Sequence, residues 1–204
     1  MTVSEAVVHS DRRKEIVNAI LTLAFEVGPD AVSTSLIAKR LGVSQPALYK
    51  HFKTKDAIWL VASEELSERI AANVRDCIAS PLPHDRRMRD LLLRHLAFIQ
   101  EVPALPDIMV MRHASPSHQI IRQRLQTKMA QLRAVMVDLI QQAQGCGTLR
   151  ADIAATDIAT LIIGVVQSLV LRMIVSREPS HLVRDGARLY DLQIGTLAPR
   201  DSLS

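Results

Sequence analysis

The feature that most constrains this chain is the run from Ser33 to Lys55, STSLIAKRLGVSQPALYKHFKTK, where capping residues, apolar positions and one glycine fall at short fixed intervals. Ser33 and Thr34 stand where a hydroxyl can accept from the first free N–H groups of a helix. The apolar face of that helix is Leu36, Ile37 and Leu41, and Ala38 is small where a second helix must approach closely. Gly42 can take the positive φ that ends a helix. Val43 plugs the corner, Ser44 caps the next helix, and Pro46 falls in its first turn, where a missing N–H costs little. Leu48 turns back to the core. Two short helices joined this way form a helix-turn-helix, whose second helix enters a DNA major groove.

The residues left outside suit that use. Gln45, Ala47, Tyr49, Lys50 and His51 face outward, while Phe52 is expected beneath the next helix. Five basic residues (Lys39, Arg40, Lys50, Lys53, Lys55) and no acidic ones lie between Ser33 and Lys55, against a net charge of +4 for the whole chain. The excess sits in this segment, and a local basic face is the electrostatic footprint of a duplex-binding surface. The competing reading is a solvated basic face on a motif that never meets DNA.

The segment IAKRLGVSQPALYKHFKTKDAIW, with its pattern IA–x–x–LGVS–x–x–x–LY–x–HF–x–x–K, resembles the helix-turn-helix of the TetR family of bacterial transcriptional regulators. The chain length and all-helical layout fit the same family. The resemblance implies that Thr34, Tyr49, His51 and Lys55 contact phosphates, and that Ser35, Gln45, Pro46, Ala47 and Lys50 lie nearest the bases. Ser35 and Lys50 occupy positions that vary within the family, so no operator sequence carries over.

Along the rest of the chain, helical spacing dominates. Residues 11–27 form an amphipathic helix with Ile16, Ile20, Leu23 and Val27 in its stripe and Ser10 as its cap, completing a three-helix unit. Whether Arg12, Arg13 and Lys14 reach DNA is left open by the sequence. Thr54 caps a helix from Lys55 to about Ala79, so the boundary between the DNA-binding domain (1–54) and the helical remainder (55–204) meets a continuous helix. Helices follow over 86–101, 107–114 and 117–144, then an exposed turn at 148–151. The fold class is all-α: an N-terminal helix-turn-helix domain followed by a helical ligand-binding and dimerisation domain.

Residues 157–175 are the second informative stretch. No charge occurs from Ile158 to Leu171, yet the run is shorter than the roughly 20 residues a membrane span needs, and Thr160, Gln167 and Ser168 interrupt it. A helix apolar nearly all round is buried nearly all round. One core cannot cover every face, so a partner subunit is expected at Leu161, Gly164, Val165, Gln167, Ser168 and Leu171. The last helix, about 180–197, adds Leu182, Val183, Leu189 and Leu192, with Leu189 at the interface. A four-helix homodimer bundle is also the arrangement that the resemblance implies; simple intrachain core is the alternative. A two-fold dimer would read an approximately palindromic duplex.

The resemblance further implies a small-molecule pocket in the helices after the DNA-binding domain, with ligand binding shifting the linking helix and releasing DNA. Candidate lining residues are Trp59, His95, Phe98, Met109, Met111, His113, Met136, Gln167 and Met173, and their apolar bias suggests a largely apolar effector. No cofactor is implied. His84, His95, His113 and His118 lack metal-ligand spacing, and no HExxH, GxSxG or Gly-rich phosphate loop occurs, so no catalytic or metal site is expected. Cys77 and Cys146 read as free thiols, Met1 to Ser10 lacks a secretory pattern, and a cytoplasmic location follows. The expected function is ligand-released repression; the alternative is a DNA-binding dimer without a small effector, controlled by a protein partner or acting architecturally.

Overall fold

The computed structural model describes residues 3–110 and 116–199, and the described residues are helical with no strand. In chain order the helices are α1 (Val3–Val27), a 3-10 turn (Pro29–Ala31), α2 (Thr34–Leu41), α3 (Gln45–His51), α4 (Lys55–Ala79), α5 (His84–Glu101), α6 (Leu105–Val110), α7 (Pro116–Gly145), α8 (Ala155–Ser176) and α9 (Leu182–Thr196). Two compact units result, one from Met1–Glu68 with Val102–Gln126, the other from Arg69–Glu101 with Thr127–Ser204. The first unit therefore extends past the sequence motif to take in the start of α4, α6 and the start of α7.

In the first unit, α1 packs on α2 and α3 through Ile16, Val17, Ile20, Leu23 and Ala24 against Val32, Ile37, Ala38, Leu48 and Phe52, all buried. Helix α1 begins at Val3, so Ser10 lies inside it rather than capping it, and Val27 is half-exposed rather than in the core stripe. The residues at its end serve the turn instead, where the Gly28 N–H donates to the Ala24 carbonyl at 3.0 Å.

In the second unit α9 packs on both α5 and α8. Gly186 sets the α5–α9 approach: a Cβ there would lie 2.1 Å from Leu96 Cδ1. Its neighbours on the inner face are Leu182 and Tyr190, and Leu197 follows them in; Val183 and Leu189 are only half-buried, and Leu192 is 64% exposed. Of the four apolar residues expected in a bundle with a second copy, Leu182 is thus taken up inside the unit, while Val183, Leu189 and Leu192 keep part of their surface outside it. Arg89 joins α5 to α9 by a two-pronged pair with Asp191, and Arg172 joins α8 to α9 through Asp185.

Three further expectations are corrected. Helix α6 starts two residues earlier than expected, and the remainder of the expected 107–114 helix reaches residues outside the described ones. The 148–151 segment is exposed only at Thr148 and Ala151: Leu149 is buried, Gln144 Nε2 donates to the Arg150 and Ile153 carbonyls, and the Arg150 N–H donates to the Leu197 carbonyl. Helix α8 has 22 residues, long and apolar enough to cross a membrane, so shortness is no argument against spanning. Its burial is one-sided. Ile158, Ile162, Val166, Leu169 and Met173 pack inside the unit, whereas Leu161, Leu171 and Val175 are 52%, 62% and 79% exposed.

Candidate nucleic-acid interface

Backbone chemistry fixes the two motif helices residue by residue. Ser33 Oγ accepts from the Leu36 N–H at 3.1 Å at the start of α2, and Ser44 Oγ accepts from the Ala47 N–H at 3.3 Å at the start of α3. Each satisfies an N–H that the helix itself leaves free. Between them Gly42 adopts φ 65°, its N–H donating to Lys39 and Ala38 carbonyls, while the Val43 N–H reaches the Ala38 carbonyl at 3.0 Å. This paired closure satisfies the last carbonyls of α2 and reverses the chain tightly enough to seat α3 across it. Thr54 Oγ1 accepts from the Ala57 N–H at 3.1 Å, capping α4 where it leaves the motif.

Leu48 is the residue of α3 that is buried, which leaves one side of the helix free. Ser35, Gln45, Pro46, Tyr49 and Lys50 are exposed, and Thr34, Ala47, His51 and Lys55 are half-buried. Thr34 Oγ1 lies 3.4 Å from the Tyr49 hydroxyl, so the two positions expected to hold phosphate form one polar pair spanning α2 and α3. Lys55 points elsewhere, its Nζ donating to the Val32 carbonyl at 2.9 Å. That bond ties the first turn of α4 to the entry of α2.

The charge count of the segment overstates the free positive charge. Arg40 pairs with Glu26 from α1. With Arg40 and Lys55 so engaged, Lys39, Lys50 and Lys53 carry the exposed basic surface of the motif. Of the α1 cations, Arg12 pairs with Glu15 at 2.5 Å, and Arg13 is structural: its Nη1 donates to the His51 carbonyl at 3.0 Å and its guanidinium sits 4.3 Å from the centre of the Phe52 ring. A cation at the C-terminal end of α3 also meets the negative end of that helix. Sequence spacing carried no signal for the Arg13, Glu26 and Val32 contacts, because their partners lie 14 to 38 residues away.

The residues expected to line an effector pocket fall in both units. Trp59 and Met109 belong to the first, Trp59 fully buried and Met109 half-buried; His95, Phe98, Met136 and Met173 are buried in the second. Burial pushes the His95 imidazole down to about 4, so it is neutral at physiological pH. Phe98 carries the Arg69 guanidinium 4.2 Å above its ring. Gln167 is exposed on the outer side of α8, and Met111 and His113 lie outside the described residues.

Comparison with known proteins agrees with this geometry. Residues 16–61 match the family model for bacterial regulatory proteins of the tetR family, and residues 113–187 match the tetracyclin repressor-like C-terminal domain. The nucleoid occlusion factor SlmA of Aliivibrio fischeri is 33% identical over 100 residues, 48% of this chain and 51% of that protein. The class A tetracycline repressor from transposon 1721 of Escherichia coli is 51% identical over 43 residues, 21% of this chain and 20% of that one. The chain spans about half the length of the first of these curated relatives and less of the second. Among solved structures, the ketosteroid transcriptional regulator KstR2 of Mycobacterium tuberculosis superposes with a TM-score of 0.76 at 19% identity, covering 93% of this chain and 96% of that one. FadR of Bacillus subtilis in complex with stearoyl-CoA does so at 0.66 and 16% identity, over 90% and 98% of the two chains. At these identities the superpositions speak to the fold. With both family domains matched and a capped helix-turn-helix at its head, this chain is a DNA-binding transcriptional regulator and belongs to the TetR family.

Proposed function

We propose that this protein is a homodimeric repressor that binds an approximately palindromic operator and is released from it by a small, largely apolar ligand. The observation that carries the DNA half of this reading is the exposed face of α3 beside the Thr34–Tyr49 hydroxyl pair. In this reading Ser35, Gln45, Pro46, Ala47 and Lys50 meet base edges, while Thr34, Tyr49 and His51 hold phosphates. Lys55 braces α4 against α2 through the Val32 carbonyl and keeps two further N–H donors for a phosphate. The dimer forms through the outer face of α8, with Leu161, Gly164, Val165, Gln167, Ser168 and Leu171, joined by Leu189 of α9. Family regulators bind DNA and act as dimers with small-molecule ligands, which supports both halves. Release needs only that ligand bind the DNA-incompetent spacing better than the competent one.

Likeness to the nucleoid occlusion factor SlmA over about half of that protein favours one second reading, a DNA-binding dimer controlled by a protein partner without a small effector. Selection of purified protein on random duplex DNA, followed by binding at two salt concentrations, tests the first. A recovered palindrome supports a sequence-specific dimer and supplies the probe for effector release. Unselective binding that fades as salt rises would sink it.

A further inference from the structure

Two hydrogen-bond donors beside α4 have more capacity than the protein uses. Arg124 of α7 is half-buried, and its Nη1 donates to the Leu60 carbonyl at 3.3 Å and to Ser63 Oγ at 3.2 Å. Both acceptors are neutral. Ser63 spends its own proton on the Leu60 carbonyl at 2.8 Å, so its hydroxyl can only accept from the arginine. A guanidinium has five N–H donors in a planar fork, and these two bonds use Nη1 alone.

The Nε and Nη2 edge of an arginine is well suited to gripping a carboxylate side-on. The same chain provides two examples. Arg89 reaches Asp191 through Nε and Nη2 at 2.8 and 2.9 Å, and Arg150 reaches Asp152 through the same atoms at 2.7 and 2.5 Å. At Arg124 that edge meets no acceptor among the described residues.

The second donor is the indole N–H of Trp59, which is 1% exposed and has no acceptor among the described residues. An indole nitrogen can only donate. Trp59 adjoins Leu60 and shares a helix face with Ser63, four residues on. Trp59 and both acceptors of Arg124, Leu60 and Ser63, thus lie close together along α4, within one compact unit. The indole N–H is shut away from water, where an unmet donor is costly, while the free edge of Arg124 belongs to a half-buried side chain. The complement is an acceptor with several lone pairs and a negative charge.

We propose that Arg124 and Trp59 form the polar end of an effector site for a carboxylate-bearing, otherwise apolar small molecule. Nε and Nη2 of Arg124 hold the carboxylate oxygens, and the Trp59 N–H donates to the same head group. This rests on the effector reading above and sharpens it, from an apolar ligand to an amphipathic acid. The head group would bind directly to the turn of α4 that follows the motif in the chain.

Trp59 is the only tryptophan in the chain, so its emission reports on the site directly. The experiment titrates full-length protein with decanoate and with methyl decanoate, reading Trp59 emission and release of the selected operator, for wild type and Arg124→Gln. Decanoate should act at concentrations about tenfold or more below the ester, and Arg124→Gln should abolish that preference while leaving ester binding unchanged. Should the glutamine variant not fold, Arg124→Lys keeps the charge but not the two-pronged edge, and it should also lose most of the preference. Equal action of acid and ester, or a preference that survives both substitutions, overturns the proposal and leaves the effector reading standing if either compound releases DNA. Silence from decanoate and from the bulkier acid deoxycholate overturns it too, and release by neutral esters alone would do so while keeping the effector.

Discussion

Helices α2–α3 and α8–α9 are both adjacent pairs, yet their sequences specify them in opposite ways. In α2–α3 nearly every residue acts on its near neighbours. Ser33 and Ser44 cap, Gly42 reverses the chain, and Ile37, Ala38 and Leu48 face the core. In α8 the same residue types occur on every side, with Ile158, Ile162 and Met173 buried and Leu161, Leu171 and Val175 exposed. The free N–H and C=O groups at the ends of α2 and α3 are satisfied within a few residues, so that chemistry is written locally. Burial is decided by whatever packs against a face, and composition records only that a face needs covering.

The substitution that most strongly tests this contrast is Leu171→Asp. On a face that meets only water, the change should move stability by less than about 0.5 kcal/mol. Against a second copy it buries an unpaired carboxylate in each half of the interface, so the dimer should dissociate and operator affinity fall about 100-fold or more. Light scattering after size exclusion, with operator binding on the same samples, reads both. A variant that remains dimeric and binds DNA as before would make the outer face of α8 plain surface and remove the contrast.

What the sequence made legible follows the same division. The caps at Ser33, Ser44 and Thr54 and the Gly42 reversal could all be read, because each rests on residues within a few positions; the burial of Phe52 could be read from its apolar ring, though not the Arg13 that lies over it. The Arg13 brace, the Arg40–Glu26 pair and the Lys55 tie to Val32 could not, since each joins elements that only the folded unit brings together. On α9 the tight position was a glycine, Gly186, and periodicity reads glycine as absence rather than as contact. On α8 the apolar composition was plain, but part of it faces outward, and no local signal says which part.

Gly42→Ala sharpens the local side of the comparison. At Gly42 nothing lies within 4 Å of where a Cβ would sit, so a methyl group meets no clash. The φ of 65° alone opposes it. Holding alanine in the left-handed region should cost about 1–2 kcal/mol. For a chain of this size that corresponds to a fall in Tm of roughly 2–8 °C, measurable by calorimetry. An unchanged Tm would mean that the motif does not depend on this reversal.

The smallest expected effect belongs to Arg13→Gln, and it separates a brace from a contact. Arg13 holds the C-terminal end of α3 through the His51 carbonyl and the Phe52 ring, so losing it should loosen the recognition helix and weaken operator binding by roughly tenfold or less, about 1 kcal/mol. A residue that acts by positioning releases no counterions. The slope of log affinity against log salt should therefore stay at its wild-type value for Arg13→Gln. Removing a cation that sits on a phosphate should instead reduce the slope by about one, and Tyr49→Phe should weaken binding without changing it. A slope that falls with Arg13→Gln would put this arginine on the DNA. The long-range brace would then be a second contact surface, and α1 would join α2 and α3 as part of the interface.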